Sequence, residues 1–143
     1  MNKKLTVTFD YDGTLSRPHI QDFAKLLLAL DIDVWVVTSR QDELHASNVW
    51  ADPSSSDLWE VIDELEIPRN KVIFTNLEWK ANYLKDTKVV WHLDDNWEEF
   101  SHFRRLKLKT VPIQVNSGSW RSKCFRLLIL NKKKNGGINR ISN

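Results

Sequence analysis

Five short runs of apolar, mostly β-branched residues recur along this 143-residue chain, and they constrain its fold more than any other feature. Runs of this length that carry little charge before their C-terminal ends are typical of strands covered on both faces of a sheet. The predicted strands are residues 5–9, 34–38, 72–75, 89–93 and 111–115.

Amphipathic helices are predicted between these strands, because apolar residues recur there with helical spacing. The first helix is predicted to begin at Pro18, shortly after Ser16. The second is predicted to follow a polar start at residues 54–57 and to end before Pro68. A third is predicted near Glu78, a fourth over about residues 96–106, and a fifth over residues 120–130. The residues that carry the helical spacing are Phe23, Leu26, Leu27 and Leu30 in the first helix, Leu58, Val61, Ile62 and Leu65 in the second, and Trp97, Phe100 and Phe103, predicted to face inward, in the fourth.

The alternation of strand and helix predicts an α/β fold: a three-layer, Rossmann-like parallel sheet of about five strands with helices on both faces. Residues 1–118 are predicted to form the main domain, and residues 119–143 a basic C-terminal helix and tail, frayed from about residue 132.

The charge of the chain is strongly asymmetric. All 19 acidic residues lie before residue 100, whereas residues 100–143 hold 11 basic residues and no acidic one. A basic segment of this kind is able to bind nucleic acid or another polyanion, and it is equally typical of a solvated tail. The single cysteine, Cys124, and the lack of a long apolar stretch predict a cytoplasmic protein without a membrane anchor.

Polar residues cluster where three of the predicted strands end. Asp10 and Asp12 follow the first strand, residues 38–40 (Thr-Ser-Arg) close the second, and Asp94 and Asp95 close the fourth. Ligands bind beyond the carboxyl ends of the strands in such sheets, so these side chains are predicted to share one site.

Three or four carboxylates that converge from separate strand ends are suited to Mg²⁺, which prefers oxygen ligands. A phosphate dianion then needs additional positive charge, for which Lys80 is the candidate and Lys85 the nearby alternative. Gly13 permits a sharp turn that brings backbone N–H groups near the phosphate, and the hydroxyls of Thr14 and Thr38 are candidate donors to its oxygens.

These residues resemble the four motifs of the haloacid dehalogenase superfamily, in family order over residues 5–115. The first motif, Asp-x-Asp-Gly-Thr, is matched by residues 10–14, and the second, a Thr or Ser that closes a strand, by Thr38. The third, a lysine at the start of a helix, is similar to Lys80, and the fourth, an acidic pair after an apolar strand, to residues 94–95.

The resemblance implies a Mg²⁺-dependent phosphohydrolase that forms an aspartyl-phosphate on Asp10. Asp12 would protonate the leaving oxygen and then activate water, while its main-chain carbonyl ligates the metal; Asp94 would ligate the ion directly and Asp95 through a water. Thr38 would hydrogen-bond the transferring group, and Lys80 would offset the negative charge. The predicted substrate-binding residues are Gly13, Thr14, Ser39 and Arg40, although Arg40 is equally typical of a solvated loop.

The segments between the motifs are too short for a cap domain, so the chain resembles the capless members of the superfamily. An open site favours a phosphate on a large molecule, or a second subunit that acts as a lid; residues 45–56, with Trp50 and Pro53, are the local candidate cover. Candidate substrates are a polynucleotide end, a nucleotide and a sugar phosphate. The alternative is a non-catalytic protein that binds Mg²⁺, phosphate or nucleic acid. Trp35, Trp91 and His92 are predicted core residues, and Trp79 a candidate substrate contact.

Overall fold

A computed structural model describes residues 4–42 and 55–142, with side chains described up to residue 134. All five predicted strands are present, in one parallel sheet with the order β3-β2-β1-β4-β5. Their bounds are β1 Thr6–Phe9, β2 Asp33–Thr38, β3 Val72–Phe74, β4 Val89–Asp94 and β5 Val111–Gln114. The predicted α/β class and strand number are confirmed.

Five helices connect and cover the strands within the described ranges. They are α1 Pro18–Ala29, α2 Ser56–Glu64, α3 Ala81–Leu84, α4 Trp97–Arg105 and α5 Trp120–Ser142. Proline at the first position of α1 is favourable, since its missing N–H would have no partner there. Asn96 caps α4 by accepting a hydrogen bond from the N–H of Glu98 at 3.0 Å.

The larger of the two cores lies beneath α1, α2 and α5. Phe23 of α1 packs within 6.1 Å, centroid to centroid, of both Phe9 and Trp91, and Trp91 donates a hydrogen bond to the carbonyl of Cys124 in α5. Trp91 is fully buried, as predicted. Burial of these large rings is the main source of the stability of this layer.

The smaller core lies on the other face of the sheet, beneath α3 and α4. It contains Val37, Ala81, Leu84 and Phe103. The buried, polar Thr8 and His92 lie on this face as neighbouring strand residues, and the His92 ring stacks on Phe103 with 5.6 Å between centroids. This face therefore combines a few apolar contacts with buried hydrogen bonds.

Two predictions about the helices are wrong. Trp97 does not face inward; it is 63% exposed, because it occupies the first turn of α4 at the end of the sheet, where its ring lies 5.2 Å from that of Phe100, centroid to centroid. Helix α5 does not end at Leu130 with a frayed tail but extends to Ser142, and Lys132–Lys134, which are good helix formers, continue it. In the described part of the chain, no helix is long and apolar enough to cross a membrane.

Candidate active site

The site lies where the chain reverses its direction of travel across the sheet. From β1 the chain moves outward through β2 to β3, and it then returns to the opposite side of β1 to form β4 and β5. The carboxyl ends of β1 and β4 are therefore adjacent, with Phe9 paired to Leu93 and the N–H of Asp10 donating to the carbonyl of Leu93 at 2.8 Å. This is the position at which parallel α/β sheets form ligand crevices.

Lys80 joins the acidic residues that follow the two strands. Its ammonium donates to Asp10 Oδ1 at 2.6 Å and to Asp94 Oδ2 at 2.7 Å, and all three side chains are at least 95% buried. Lys85, the alternative considered from the sequence, is exposed. The structure therefore brings Lys80, rather than Lys85, to the carboxylates.

One ammonium is shared between two buried carboxylates, so negative charge is in excess. Burial and the neighbouring Asp94 raise the pKa of Asp10 well above its usual range, against the attraction of Lys80. Burial alone would lower the pKa of Lys80, but the charges of Asp10 and Asp94 outweigh it and raise that pKa. A further positive charge at this point would favour the ionised form of Asp10.

Asp94 is held by four donors. Its Oδ1 accepts from the backbone N–H groups of Asp95 and Asn96 at 2.8 and 3.1 Å, while its Oδ2 accepts from Lys80 and from His92 Nε2, each at 2.7 Å. Burial raises the pKa of Asp94, but the hydrogen bonds from His92 and Lys80 and the charge of Lys80 outweigh burial and lower it. This carboxylate is consequently fixed in position and ionised.

His92 connects Asp94 to the neighbouring strand. Its Nδ1 lies 2.8 Å from Thr8 Oγ1, and the residue is fully buried. Because a carboxylate only accepts hydrogen bonds, Nε2 carries the proton toward Asp94; burial lowers the pKa of His92, so Nδ1 is left to accept from the Thr8 hydroxyl. His92 is a satisfied core histidine, as predicted, and it also orients a residue of the site.

Three carboxylates lie close enough together to share a metal ion. Asp10, Asp94 and Asp95 each place an oxygen within 4.8 Å of the other two. Whereas Asp94 accepts four hydrogen bonds, the Asp95 carboxylate accepts none from the described residues. Hard oxygen donors grouped in this way fit Mg²⁺, and the excess of negative charge favours a dication.

Gly13 is required for this arrangement. The residue adopts φ +76°, a conformation that residues other than glycine rarely adopt, and an added Cβ would overlap the carboxylate of Asp95. The tight turn over Tyr11–Leu15 therefore brings its backbone directly against Asp95.

The two threonines of the site face inward rather than into the cavity. Thr14 donates its hydroxyl hydrogen bond to Asp10 Oδ2 at 3.1 Å, and both it and Thr38 are fully buried. The Thr38 hydroxyl accepts from the N–H of Arg40 at 3.2 Å. The two residues thus hold Asp10 and the loop after β2, while Ser39 is the member of that loop that lines the cavity.

Arg40 forms a bridge between two aspartates at the rim. Its guanidinium donates to both oxygens of Asp12 at 2.7 and 2.9 Å and to both oxygens of Asp57 at 2.8 Å. It also lies 5.0 Å from the centroid of the Tyr11 ring. Because its donors engage protein carboxylates, Arg40 is neither a free substrate clamp nor a solvated loop residue in this structure.

The cavity enclosed by these groups has a volume of about 410 Å³. Lys80 is the cation among these lining residues, and it faces three carboxylates besides Asp12, which pairs with Arg40; this again favours an added metal ion. The residues that line it are Asp10, Asp12, Ser39, Lys80, Asp94, Asp95 and Asn96.

Glu99, on α4, was not predicted from the sequence, and it fixes the position of Lys80. Its Oε1 accepts a hydrogen bond from the Lys80 backbone N–H at 3.0 Å. Because α3, which begins directly after Lys80, is only four residues long, this contact from α4 helps to hold Lys80 in place. Burial raises the pKa of Glu99. Asn96 and Asp57 were also missed. Asn96 directly follows the acidic pair at the end of β4, so its position next to the site could have been predicted from the sequence. The contact of Glu99 with Lys80 joins residues 19 positions apart, and such a contact leaves no local sequence pattern.

Trp79 does not line the cavity, although it precedes Lys80. Its ring stacks on His102 with 3.7 Å between centroids. Trp35, predicted to be core, is half-buried and donates to Asp33 at 2.9 Å. Most of the candidate cover, including Trp50 and Pro53, lies outside the described residues.

Comparison of the chain with protein-family models, with curated proteins and with solved structures gave no match. The geometry of the cluster is therefore the basis for assigning a function.

Proposed function

We propose that this protein is a Mg²⁺-dependent phosphohydrolase that acts through an aspartyl-phosphate on Asp10. The observation that carries the proposal is the buried Lys80 ammonium between Asp10 and Asp94, with the Asp95 carboxylate beside them. The resemblance of residues 10–14, 38, 80 and 94–95 to the haloacid dehalogenase motifs supports the same reaction class.

Asp10 is the nucleophile in this proposal. One of its carboxylate oxygens forms a bond to phosphorus as the bond between phosphorus and the leaving oxygen breaks. The leaving oxygen takes a proton from Asp12. Water then attacks phosphorus, Asp12 accepts the water proton, and the bond to Asp10 breaks to release inorganic phosphate. Lys80 stabilises the negative charge on the transferring oxygens, and Thr14 orients the nucleophile through its hydrogen bond.

The metal ion would be held by Asp10 and Asp95 together with the main-chain carbonyl of Asp12. A bound Mg²⁺ supplies positive charge that stabilises phosphoryl oxygens. Asp94 is assigned chiefly to positioning Lys80, since its oxygens already accept four hydrogen bonds. This revises the sequence-based expectation, in which Asp94 was the direct ligand and Asp95 acted through a water.

Arg40 has to release Asp12 for this chemistry, because both oxygens of the Asp12 carboxylate accept hydrogen bonds from the guanidinium and so cannot reach the leaving oxygen or the water. We assign Arg40 to the substrate phosphate or to a group next to it. Asp57 then keeps the guanidinium near the rim when Asp12 is released.

A non-catalytic binding protein is the alternative, and the closed pairing of Arg40 with Asp12 is the observation that favours it. A hydrolysis assay with and without Mg²⁺ separates the two functions. The substrates are a generic aryl phosphate, nucleotides, sugar phosphates and a 3′- or 5′-phosphorylated oligonucleotide. Asp10→Asn should lower Mg²⁺-dependent turnover by about 10⁴-fold or more while the fold survives.

The matched control is Asp22→Asn, which makes the same change at an exposed position of α1. It should retain the parent rate. If the parent protein hydrolyses none of these phosphoesters, or if Asp10→Asn retains full activity, the proposed reaction is wrong.

A further inference from the structure

A group of exposed cations lies on each face of the sheet at the edge opposite the candidate active site. Helix α4 runs away from the carboxyl edge, so its last turn and the connection to β5 lie at the amino edge. This segment carries four exposed basic residues in six positions: Arg104, Arg105, Lys107 and Lys109.

Helix α5 brings three more cations to the same edge. It begins after β5 and packs back along β4 and β5, and Leu128 is its last buried apolar residue among the side chains described up to residue 134, whereas Ile129 and Leu130 are 53% and 54% exposed. Between Trp120 and Lys132–Lys134 the helix rises about 18 to 21 Å, whereas the four-residue β5 spans only about 13 Å. Lys132–Lys134 therefore lie near the amino edge of the sheet, on the opposite face from α4.

We name these seven residues the amino-edge patch: Arg104, Arg105, Lys107, Lys109, Lys132, Lys133 and Lys134. All seven are exposed, and none forms an ion pair within the described ranges. On the adjoining connection before β4, Lys85 and Lys88 outnumber Asp86, and residues 100–143 contain no acidic residue. No described carboxylate therefore lies within ion-pair distance of the patch residues.

We infer that the amino-edge patch binds the phosphate backbone of a nucleic acid. Unpaired lysine and arginine side chains on packed elements release counterions when they contact successive phosphates, which supplies affinity without base recognition. An anionic membrane is the weaker fit. Lys132–Lys134 are consecutive, so they point in three directions about 100° apart around the helix and interrupt any apolar stripe along the part of α5 whose side chains are described.

The inference does not depend on the proposed phosphohydrolase activity, because the patch and Asp10 lie at opposite edges of the sheet. Binding of a fluorescent single-stranded oligonucleotide to the full chain, measured by anisotropy across a salt series, tests it. Affinity should fall steeply with salt, and Asp10→Asn should bind like the parent.

Two charge-removing variants locate the binding surface. The triple variant Lys132→Gln, Lys133→Gln, Lys134→Gln should reduce the magnitude of the slope of log K against log salt by about 2. A control that also removes three exposed positive charges, Arg121→Gln with Lys123→Gln and Arg126→Gln in the first part of α5, should leave the slope unchanged. A quadruple change to Gln at positions 104, 105, 107 and 109 should have an effect at least as large as that of the triple variant.

Several results would overturn the inference: no oligonucleotide binding at low salt, equal effects of the patch and control variants, or binding that Asp10→Asn abolishes. Co-sedimentation with phosphatidylserine vesicles at salt concentrations where the oligonucleotide does not bind would instead assign the patch to a membrane. Circular dichroism of each variant confirms that the fold is retained.

Discussion

The sheet carries two lysine–aspartate clusters, one at each edge, and they differ in how completely their charges are satisfied. At the amino edge, Lys71 donates to Asp33 Oδ1 at 2.6 Å, and Asp33 Oδ2 accepts from Trp35 and Thr6. At the carboxyl edge, Lys80 makes contacts of the same length but is shared between Asp10 and Asp94. The first cluster has one carboxylate for one ammonium, and the second has two, with Asp95 beside them.

The pKa values of the two clusters differ in direction for this reason. Although burial raises the pKa of Asp33, hydrogen bonds from Lys71 and Trp35 outweigh burial and lower it. The pKa of Asp10 is raised, because deeper burial and Asp94 outweigh its single lysine. A balanced cluster stabilises the fold, whereas an unbalanced one favours an added cation and a nucleophile close to it.

The largest contrast is expected from replacing the two lysines. Lys80→Met should reduce Mg²⁺-dependent turnover by about 10²- to 10³-fold, since it removes the cation that faces the transferring group. Lys71→Met should leave turnover unchanged and lower the free energy of unfolding by only about 1 kcal/mol, because the pair is partly exposed. Steady-state kinetics and urea denaturation of both variants measure the contrast; equal kinetic losses would contradict the assignment of separate roles.

A smaller effect is expected at His92, which acts through Asp94. His92→Leu leaves Asp94 without one of its donors, so Asp94 holds Lys80 less firmly and we expect turnover to fall about 10-fold. His92→Gln can still donate to Asp94 and should recover most of that loss. If His92→Gln loses as much turnover as His92→Leu, or if neither variant loses any, His92 has only a packing role.

The smallest effect is expected at Asp33, where the lowered pKa makes stability depend on pH. The pKa of Asp33 is lower in the folded protein than in the unfolded chain, where it is about 3.9. The ionised carboxylate therefore stabilises the fold at pH values above about 3.9, and this stabilisation is lost as the pH falls through the folded-state pKa. The advantage of the parent over Asp33→Asn should therefore be present at pH 6–7 and shrink below about pH 4. Denaturation of both proteins at several pH values provides the measurement, and a constant or growing difference in acid would be inconsistent with it.

Sequence reasoning predicted the parts of the site that lie on regular strands. Apolar runs define the ends of β1 and β4, and adjacent parallel strands bring Asp10, Asp94 and Asp95 to one edge. The glycine at position 13 was also predicted, since a sharp turn after a strand leaves a local pattern.

The contacts made by long side chains were not predictable in this way. Arg40 and Asp57 are 17 residues apart, and Lys80 and Glu99 are 19 apart; neither pair follows from the period of a helix or strand. The exposure of Trp97 was also missed, because helical spacing gives the direction of a side chain but not whether the first turn projects past the sheet. Packing between elements decides these features.

The most direct test of the account is the covalent state of Asp10 during turnover. The protein is mixed with a phosphoester that it hydrolyses and with Mg²⁺, quenched in acid and digested, and the peptides are examined by mass spectrometry. The account predicts one phosphoryl group on the peptide containing residues 10–14, located at Asp10 and absent from Asp10→Asn. Hydrolysis that proceeds with the phosphoryl group on a different residue, or at the parent rate in Asp10→Asn, would contradict it.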